Sequence, residues 1–175
     1  MCIRDSPEHA VDHWAKSFVE ASPDRNSLNV LIAMTTAIKS DFYYARREEV
    51  GVQEPLETLR LKSGSCRDFA VFMMEAVRSI GLAARFVSGY LYDEALIGAD
   101  GGLVGGGATH AWVQVYLPGA GWVEFDPTNA LVGGRNLIRV AVARTAAQAA
   151  PVAGAFLGTP DDFLSMNVTV EVTAE

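Results

Sequence analysis

The sequence predicts an α+β domain in which N-terminal helices pack on an antiparallel β-sheet. Three observations support this fold class. Apolar residues recur at helical spacing over residues 7–41, a nearly continuous apolar helix follows Cys66, and the segments that resemble strands come only afterwards. Because helices and strands are grouped rather than alternating, a parallel α/β sheet is disfavoured.

Each element has its own local signal. Ser6 is a candidate N-cap for the first helix, a turn at 118–121 joins two strands into a hairpin, and 93–109 holds six glycines typical of a flexible loop. The predicted elements, in order, are helices over 7–21 and 27–41, an irregular connection over 43–62, a buried helix that follows Cys66 and stops at Gly81, and strands over 83–92, 109–117, 122–126, 137–143 and 166–172.

The composition is that of one folded domain. Of the 175 residues, 50% are hydrophobic and 20% are charged, which is enough to bury a core and excludes a wholly disordered chain. The net charge of −7 disfavours nucleic acid and anionic membranes as partners. No apolar run approaches the roughly 18 residues of a membrane span. A protein or peptide as the partner is expected from the site residues considered below, and the oligomeric state stays open.

Cysteine usage and the N-terminus bear on the compartment. Cys2 and Cys66 do not make a disulfide framework, so a reducing compartment is expected. Residues 1–6 lack the apolar segment of a signal peptide and are predicted to be a non-native scar. Residues 7–175 are then the folded domain, and the expected location is the cytoplasm.

Three residues become informative when they are taken together. Cys66 precedes an apolar helix, where the positive end of the helix dipole favours a thiolate. His110 opens one strand of the hairpin and Asp126 closes the other, so the hairpin brings both to the same end. A carboxylate beside an imidazole fixes its tautomer and stabilises the imidazolium. Separately, each residue also has an ordinary structural interpretation, as a small buried thiol, a strand-end histidine and a turn-forming Asp-Pro. If the hairpin end faces the helix start, the three form a triad of the kind found in papain-like thiol enzymes.

Several motifs around these residues closely resemble the bacterial transglutaminase-like cysteine proteases. The resemblance covers roughly residues 27–160. It implies a papain-like or transglutaminase core, with Cys66 as the nucleophile, His110 as general base and acid, and Asp126 as the residue that orients the histidine. The matching segments are GSCRDFA at 64–70, GLAARFVSGY at 81–90, THAWVQVYLPGAGW at 109–122, DPT at 126–128 and the lead-in GVQEPLETL at 51–59.

The sequence also departs from the family pattern. Val71 stands where the family often has a histidine, and the loop over 93–108 is unusually rich in glycine. Family members usually carry an N-terminal β-rich domain. We therefore expect that 7–175 is the catalytic portion of a longer protein.

The expected chemistry is attack of the Cys66 thiolate on a peptide or carboxamide carbonyl, followed by resolution of the thioester. The backbone N–H of Cys66 is the first candidate oxyanion donor, and Tyr43 and Tyr44 are candidates for the second. Water as acceptor gives a protease or amidase, which is favoured, whereas an amine as acceptor gives a protein-glutamine transamidase. An alternative from another class is a catalytically silent module that binds peptides.

No metal and no cofactor are expected. Asp161 and Asp162 are far short of the six to eight oxygen ligands of calcium. A zinc ion at Cys66 and His110 would need a further ligand, and none is nearby in sequence.

Four neighbouring residues are given structural roles. Asp68 is expected to complement the helix dipole and anchor the preceding loop, and Arg85 to form an ion pair or lie at the surface. Trp112 and Trp122 are expected to face each other across the hairpin or to flank its turn, as core residues or walls of a groove.

Overall fold

The computed structural model describes residues 9–47, 51–92, 108–151, 154, 157–165 and 170. Within these ranges helices precede a β-sheet, which confirms the predicted α+β class. The helices are α1 (Ala10–Ala21), α2 (Ser27–Asp41), α3 (Pro55–Leu61) and α4 (Cys66–Ser79), followed by short 3-10 helices over Ala146–Ala149 and Pro160–Asp162. The strands are β1 (Tyr43–Tyr44), β2 (Ser63–Gly64), β3 (Ala84–Leu91), β4 (Thr109–Leu117), β5 (Gly121–Asp126), β6 (Leu131–Val132) and β7 (Leu137–Ala143).

Five strands form an antiparallel sheet in the order β6-β5-β4-β3-β7. The β4–β5 hairpin pairs Val113 with Phe125 and Leu117 with Gly121, as the turn at 118–121 predicts. A separate small sheet pairs β1 with β2 in parallel, so Tyr44 lies beside Gly64. This short pairing brings the segment after α2 next to the start of α4.

Helix α4 is the centre of the core. It contacts α1, α2 and α3 as well as strands β3 and β4. Alternate residues of β4 pack in the same cluster as α4, whereas Trp112 belongs to a second, smaller cluster with Val87, Leu91 and Leu137. The sheet is therefore packed on two sides near its centre. The main cluster includes Leu31, Met34, Phe69, Phe72, Met73, Val77, Phe86, Val113 and Val115.

Most boundaries agree with the sequence pattern. Helix α2 and strands β4 and β7 coincide with the predicted ranges, and β3 and β5 differ from them by one or two residues. Helix α1 begins at Ala10. The predicted cap at Ser6, the strand over 166–172 and nearly all of the glycine-rich loop lie outside the described residues, apart from residues 108, 109 and 170.

The irregular connection predicted over 43–62 is wrong in its second half. Residues Pro55–Leu61 form α3. The next residue, Lys62, caps the helix in the left-handed conformation with φ 47°. Pro55 occupies the first turn, where its fixed φ suits a helix and its missing N–H costs nothing. A helix of 7 residues is too short to show a convincing apolar period, and a proline at its start is typical of a break in sequence.

The two tryptophans do not face each other across the hairpin: Trp112 is a core residue, as expected, and Trp122 flanks the turn, which is the alternative that the sequence left open. Trp112 is fully buried at the level of Val87, whereas Trp122 pairs with Tyr116 near the turn and is partly exposed. Arg85 lies over the Trp122 ring, with Cζ 4.0 Å from its centre. Arg85 also donates from Nε to Gln114 Oε1 at 2.8 Å, so its expected surface or ion-pair role is replaced by a half-buried contact with an amide and a ring.

Across the residues that the structure describes, no helix combines the length and the apolar character needed to cross a membrane.

Candidate active site

Cys66 is the first residue of α4 and is buried, with 7% of its surface exposed. At this position its backbone N–H has no acceptor within the helix, and the helix dipole places positive potential at the thiol. The placement agrees with the sequence prediction, which rested on the apolar run that follows the cysteine.

Asp68 fixes the turn that presents Cys66. Its Oδ2 accepts hydrogen bonds from the backbone N–H and the hydroxyl of Ser65, both at 2.8 Å. Its Oδ1 accepts from the Gln53 N–H at 2.6 Å and from Arg47 Nη1 at 2.7 Å. Burial opposes ionisation of this carboxyl, but these donors outweigh it and lower the pKa of Asp68. The expected role of Asp68 as helix-end partner and loop anchor is confirmed.

His110 and Asp126 meet at the end of the β4–β5 hairpin, as the hairpin prediction required. His110 Nε2 lies 2.9 Å from Asp126 Oδ2, and both side chains are fully buried. Phe125 pairs with Val113, so Asp126 reaches the level of Trp112 and its carboxylate bonds diagonally to His110. This distance falls within the range expected for a carboxylate that orients a histidine.

The turn that follows β5 holds the Asp126 carboxylate from the other side. The Thr128 N–H donates to Oδ1 at 2.9 Å, and Asn129 Nδ2 donates to Oδ2 at 2.8 Å. Oδ1 therefore has the Thr128 N–H as its donor, and Oδ2 has Asn129 as a second donor beside His110. The DPT motif predicts a turn here, but the sequence analysis did not single out Asn129.

The electrostatic surroundings of His110 favour the imidazolium form. Burial opposes protonation, but the hydrogen bond to Asp126, the Cys66 side chain and the negative charges of both residues together raise the pKa of His110 to about 9. Nδ1 has no partner with hydrogen-bond geometry, although the thiol is near enough to act on the ring. Because Asp126 occupies Nε2, Nδ1 is the nitrogen available to Cys66. The ring also stacks on Trp112, with centroids 6.0 Å apart and planes at 28°.

Of the two tyrosines considered for the oxyanion, only Tyr44 is brought to Cys66. Burial raises the pKa of Tyr44. The charge of Cys66 and a hydrogen bond between Tyr44 and the Cys66 side chain raise it further, while the charges of Arg46 and Arg67 lower it. A hydroxyl with a raised pKa stays protonated and can donate. Tyr43, in contrast, is 76% exposed.

Among the described residues, no group of three or more His, Cys, Asp or Glu side chains could hold a metal ion. The side chain of Asp162 instead accepts from the Thr159 N–H at 2.6 Å within a 3-10 turn. The expectation of chemistry without a metal stays a prediction.

Sequence reasoning did not find Arg47 and Gln53 as supports of the site. They come from an irregular segment, separated in sequence from Asp68 by 21 and 15 residues. No regular sequence spacing connects Arg47 or Gln53 with Asp68. The motif GVQEPLETL at 51–59, which resembles the family and contains Gln53, is the only sequence signal near them.

Comparison with known proteins identifies the family. Residues 12–127 match the family model of the transglutaminase-like superfamily. An uncharacterized protein of Mycobacterium tuberculosis is 32% identical over 165 residues, which cover 92% of this chain and 51% of the relative. The chain thus spans about half the length of the curated relatives it matches first.

Two further matches are to proteins whose names state a type of activity. A crystal structure of a candidate cysteine protease from Cytophaga hutchinsonii superposes with a TM-score of 0.62 at 26% identity, covering 85% of this chain and 47% of that one. A protein-glutamine gamma-glutamyltransferase of Pseudomonas aeruginosa is 37% identical over 67 residues, or 38% of this chain and 10% of the relative.

Proposed function

This chain belongs to the transglutaminase-like superfamily, and from that membership we propose that it is a thiol-dependent acyl-transfer enzyme that acts on peptide or glutamine carboxamide bonds, with hydrolysis as its main outcome. The observation that supports the proposal most strongly is the environment of His110. Its ring is held by Asp126 on one nitrogen, and its second nitrogen is left for Cys66 at the start of α4.

In the first half-reaction, Cys66 Sγ attacks the carbonyl carbon while the proton of the thiol resides on His110. The negative oxygen of the tetrahedral intermediate accepts hydrogen bonds from the Cys66 N–H and, in this proposal, from the Tyr44 hydroxyl. His110 then gives its proton to the leaving nitrogen. The carbon–nitrogen bond breaks, an amine or ammonia departs, and a thioester on Cys66 remains.

In the second half-reaction, His110 takes a proton from water, and the resulting hydroxide attacks the thioester carbonyl. The carbon–sulfur bond breaks, a carboxylic acid leaves, and the thiol proton is restored. Asp126 accepts the hydrogen bond of Nε2–H, so that Nδ1 carries the transferred proton.

Transamidation differs only in the acceptor, since an amine would replace water in the second half-reaction. The similarity of a short segment to a protein-glutamine gamma-glutamyltransferase favours this as the second candidate. Peptide products separate the two outcomes.

The test is to incubate the chain with a mixed pool of peptides that contain glutamine and free amines, in heavy-oxygen water, and to analyse the products by mass spectrometry. Hydrolysis puts heavy oxygen into new carboxylates, whereas transamidation gives cross-links with loss of ammonia. Cys66→Ala serves as the control and should give neither product. If the wild-type chain leaves the pool unchanged, the enzyme proposal loses its support.

A silent peptide-binding module would behave differently toward a thiol reagent. We expect iodoacetamide to label Cys66 stoichiometrically near neutral pH, and His110→Ala to suppress this labelling. Labelling of Cys66 only in denaturant would favour the silent module.

A further inference from the structure

We propose that Asn129 is a positioning residue of this site, which fixes the Asp126 carboxylate and through it the His110 ring. The inference rests on the proposed function, because it assigns a role within the same site. Its basis is the convergence of two donors on one oxygen: His110 Nε2 and Asn129 Nδ2 both approach Asp126 Oδ2, at 2.9 and 2.8 Å.

Asp126 needs such a support because it ends a strand. On the edge away from β4, β5 pairs with the short strand β6, Asp126 with Leu131 and Phe125 with Val132. The intervening turn carries Ala130 with φ 57° and returns Asn129 to the carboxylate. With the Thr128 N–H on Oδ1 and Asn129 on Oδ2, rotation of the carboxylate would break two hydrogen bonds besides the one to His110.

The amide is suited to this task because it donates without a charge. The charges that act on His110 from the described residues are those of Asp126, at the end of β5, and Cys66, at the start of α4. A lysine or arginine at position 129 would compete with the imidazolium for the carboxylate charge. An asparagine anchors the carboxylate and leaves its charge to His110.

Asn129→Asp tests the donor directly, since the two side chains have nearly the same shape. At neutral pH the introduced carboxylate faces Asp126 and repels it, so the carboxylate turns from His110. In acid the pair of carboxyl groups shares a proton, because one of two adjacent carboxylates has a strongly raised pKa. The shared proton restores a donor to Asp126 Oδ2.

The readout is the rate of alkylation of Cys66 by iodoacetamide, measured on the peptide that carries Cys66 and expressed relative to wild type at each pH. We expect the ratio for Asn129→Asp to be about 0.1 at pH 7.5 and to rise toward one as the pH falls to about 5. For Asn129→Ala we expect about 0.1 at every pH, because no proton can restore the donor.

Asn29→Asp is the matched control. Asn29 Nδ2, in the first turn of α2, donates to Asp24 Oδ2 at 3.2 Å in an exposed position, so the same substitution creates the same carboxylate pair away from the site. Its ratio should stay near one throughout. Recovery in acid within a single Asn129→Asp sample also excludes misfolding as the cause of the loss at neutral pH.

Two results would overturn the inference: ratios near one for both Asn129 variants, or an equal loss in both with no recovery in acid. His110→Ala separates this failure from failure of the proposed function. If His110→Ala slows alkylation while the Asn129 variants do not, the inference on Asn129 alone is wrong. If His110→Ala has no effect, the activation of Cys66 by His110 is itself contradicted.

Discussion

Asp126 is fully buried, and its carboxylate is linked to the proposed nucleophile through the hydrogen bond to His110. Asp126→Asn keeps the shape, but the amide can favour the wrong imidazole tautomer and removes the charge that stabilises the imidazolium. We expect activity on a peptide from the pool to fall by about 10–10³-fold, less than in a serine-protease triad because the thiolate–imidazolium pair is partly preformed. Far-UV circular dichroism checks the fold, and full activity in Asp126→Asn would leave a Cys66–His110 dyad.

The raised pKa of His110 makes stability depend on pH. Folding raises this pKa from 6.5 to about 9, so between these values the folded protein keeps a proton that the unfolded chain has released. The contribution of His110 is therefore fully present below pH 6.5 and is lost as the pH rises through about 9. Because the proton on His110 comes from the Cys66 thiol in the proposed pair, the comparison is made without the thiol: urea denaturation of Cys66→Ala across this range should show a fall in the free energy of unfolding that is weaker in the Cys66→Ala/His110→Gln double variant. Parallel curves for the two proteins would contradict it.

At the residue scale, the sequence sufficed to place Cys66 at a helix start and His110 and Asp126 at one end of a hairpin, because a helix start, a strand start and a strand end each carry a local signal. Tyr44 and Asn129 depend on contacts that sequence does not encode locally. The pairing of β1 with β2 places Tyr44 beside Gly64, near the start of α4. The turn after β5 brings Asn129 to the Asp126 carboxylate.

The start of α4 is held by a single buried carboxylate. Asp68→Asn keeps its size but removes the charge that faces Arg47 and weakens the hydrogen bonds with Ser65 and Gln53. Breaking a buried ion pair is costly, and since Arg47 is partly exposed we expect a loss of about 2–4 kcal/mol in the free energy of unfolding.

Urea denaturation near neutral pH measures the effect of Asp68→Asn. Asp24→Asn is the comparison, because Asp24 also accepts from a backbone N–H ahead of a helix, but in an exposed position. It should change stability much less. Equal effects in the two variants would mean that Asp68 is not a special anchor of the nucleophile helix.

Strand β3 passes very close to β7 beside the site. Gly89 pairs with His110, and a Cβ at this position would collide with the Ile138 carbonyl and the Trp112 ring. Gly89→Ala should therefore destabilise the protein by about 1–3 kcal/mol and slow the labelling of Cys66. Gly154→Ala, where a Cβ meets no atom of the described residues within 4 Å, is the control. A Gly89→Ala protein with unchanged stability would show that the two strands can separate without cost.

At the element scale, prediction succeeded where a period was long enough to see. The strands β4 and β5 alternate around a clear turn, and α4 is apolar on nearly all sides. It failed for α3, whose 7 residues span about two turns and begin with a proline. Strand β6 could not be predicted from the sequence either, because its 2 residues have no pattern of their own. They form a strand only by pairing with β5.

On the scale of the whole molecule, the site lies between two layers. Cys66 belongs to the helical layer, and His110 and Asp126 belong to the sheet, so the reactive pair exists only when α4 is packed on β3 and β4. The sequence shows directly that helices precede strands, and this order indicates a helical layer and a sheet. It does not indicate which end of α4 faces which end of the β4–β5 hairpin. That alignment was predicted only through the resemblance to the transglutaminase-like family.

The central claim is that Cys66 forms a covalent acyl intermediate with His110 as its proton carrier. The most direct test is acid-quenched mass spectrometry of the intact chain during reaction with the peptide pool. The account predicts an adduct on the peptide containing Cys66 that hydroxylamine removes, that is absent in Cys66→Ala, and that forms much more slowly in His110→Ala. Products that form equally well in Cys66→Ala, or without any adduct on Cys66 in the wild-type chain, would contradict it.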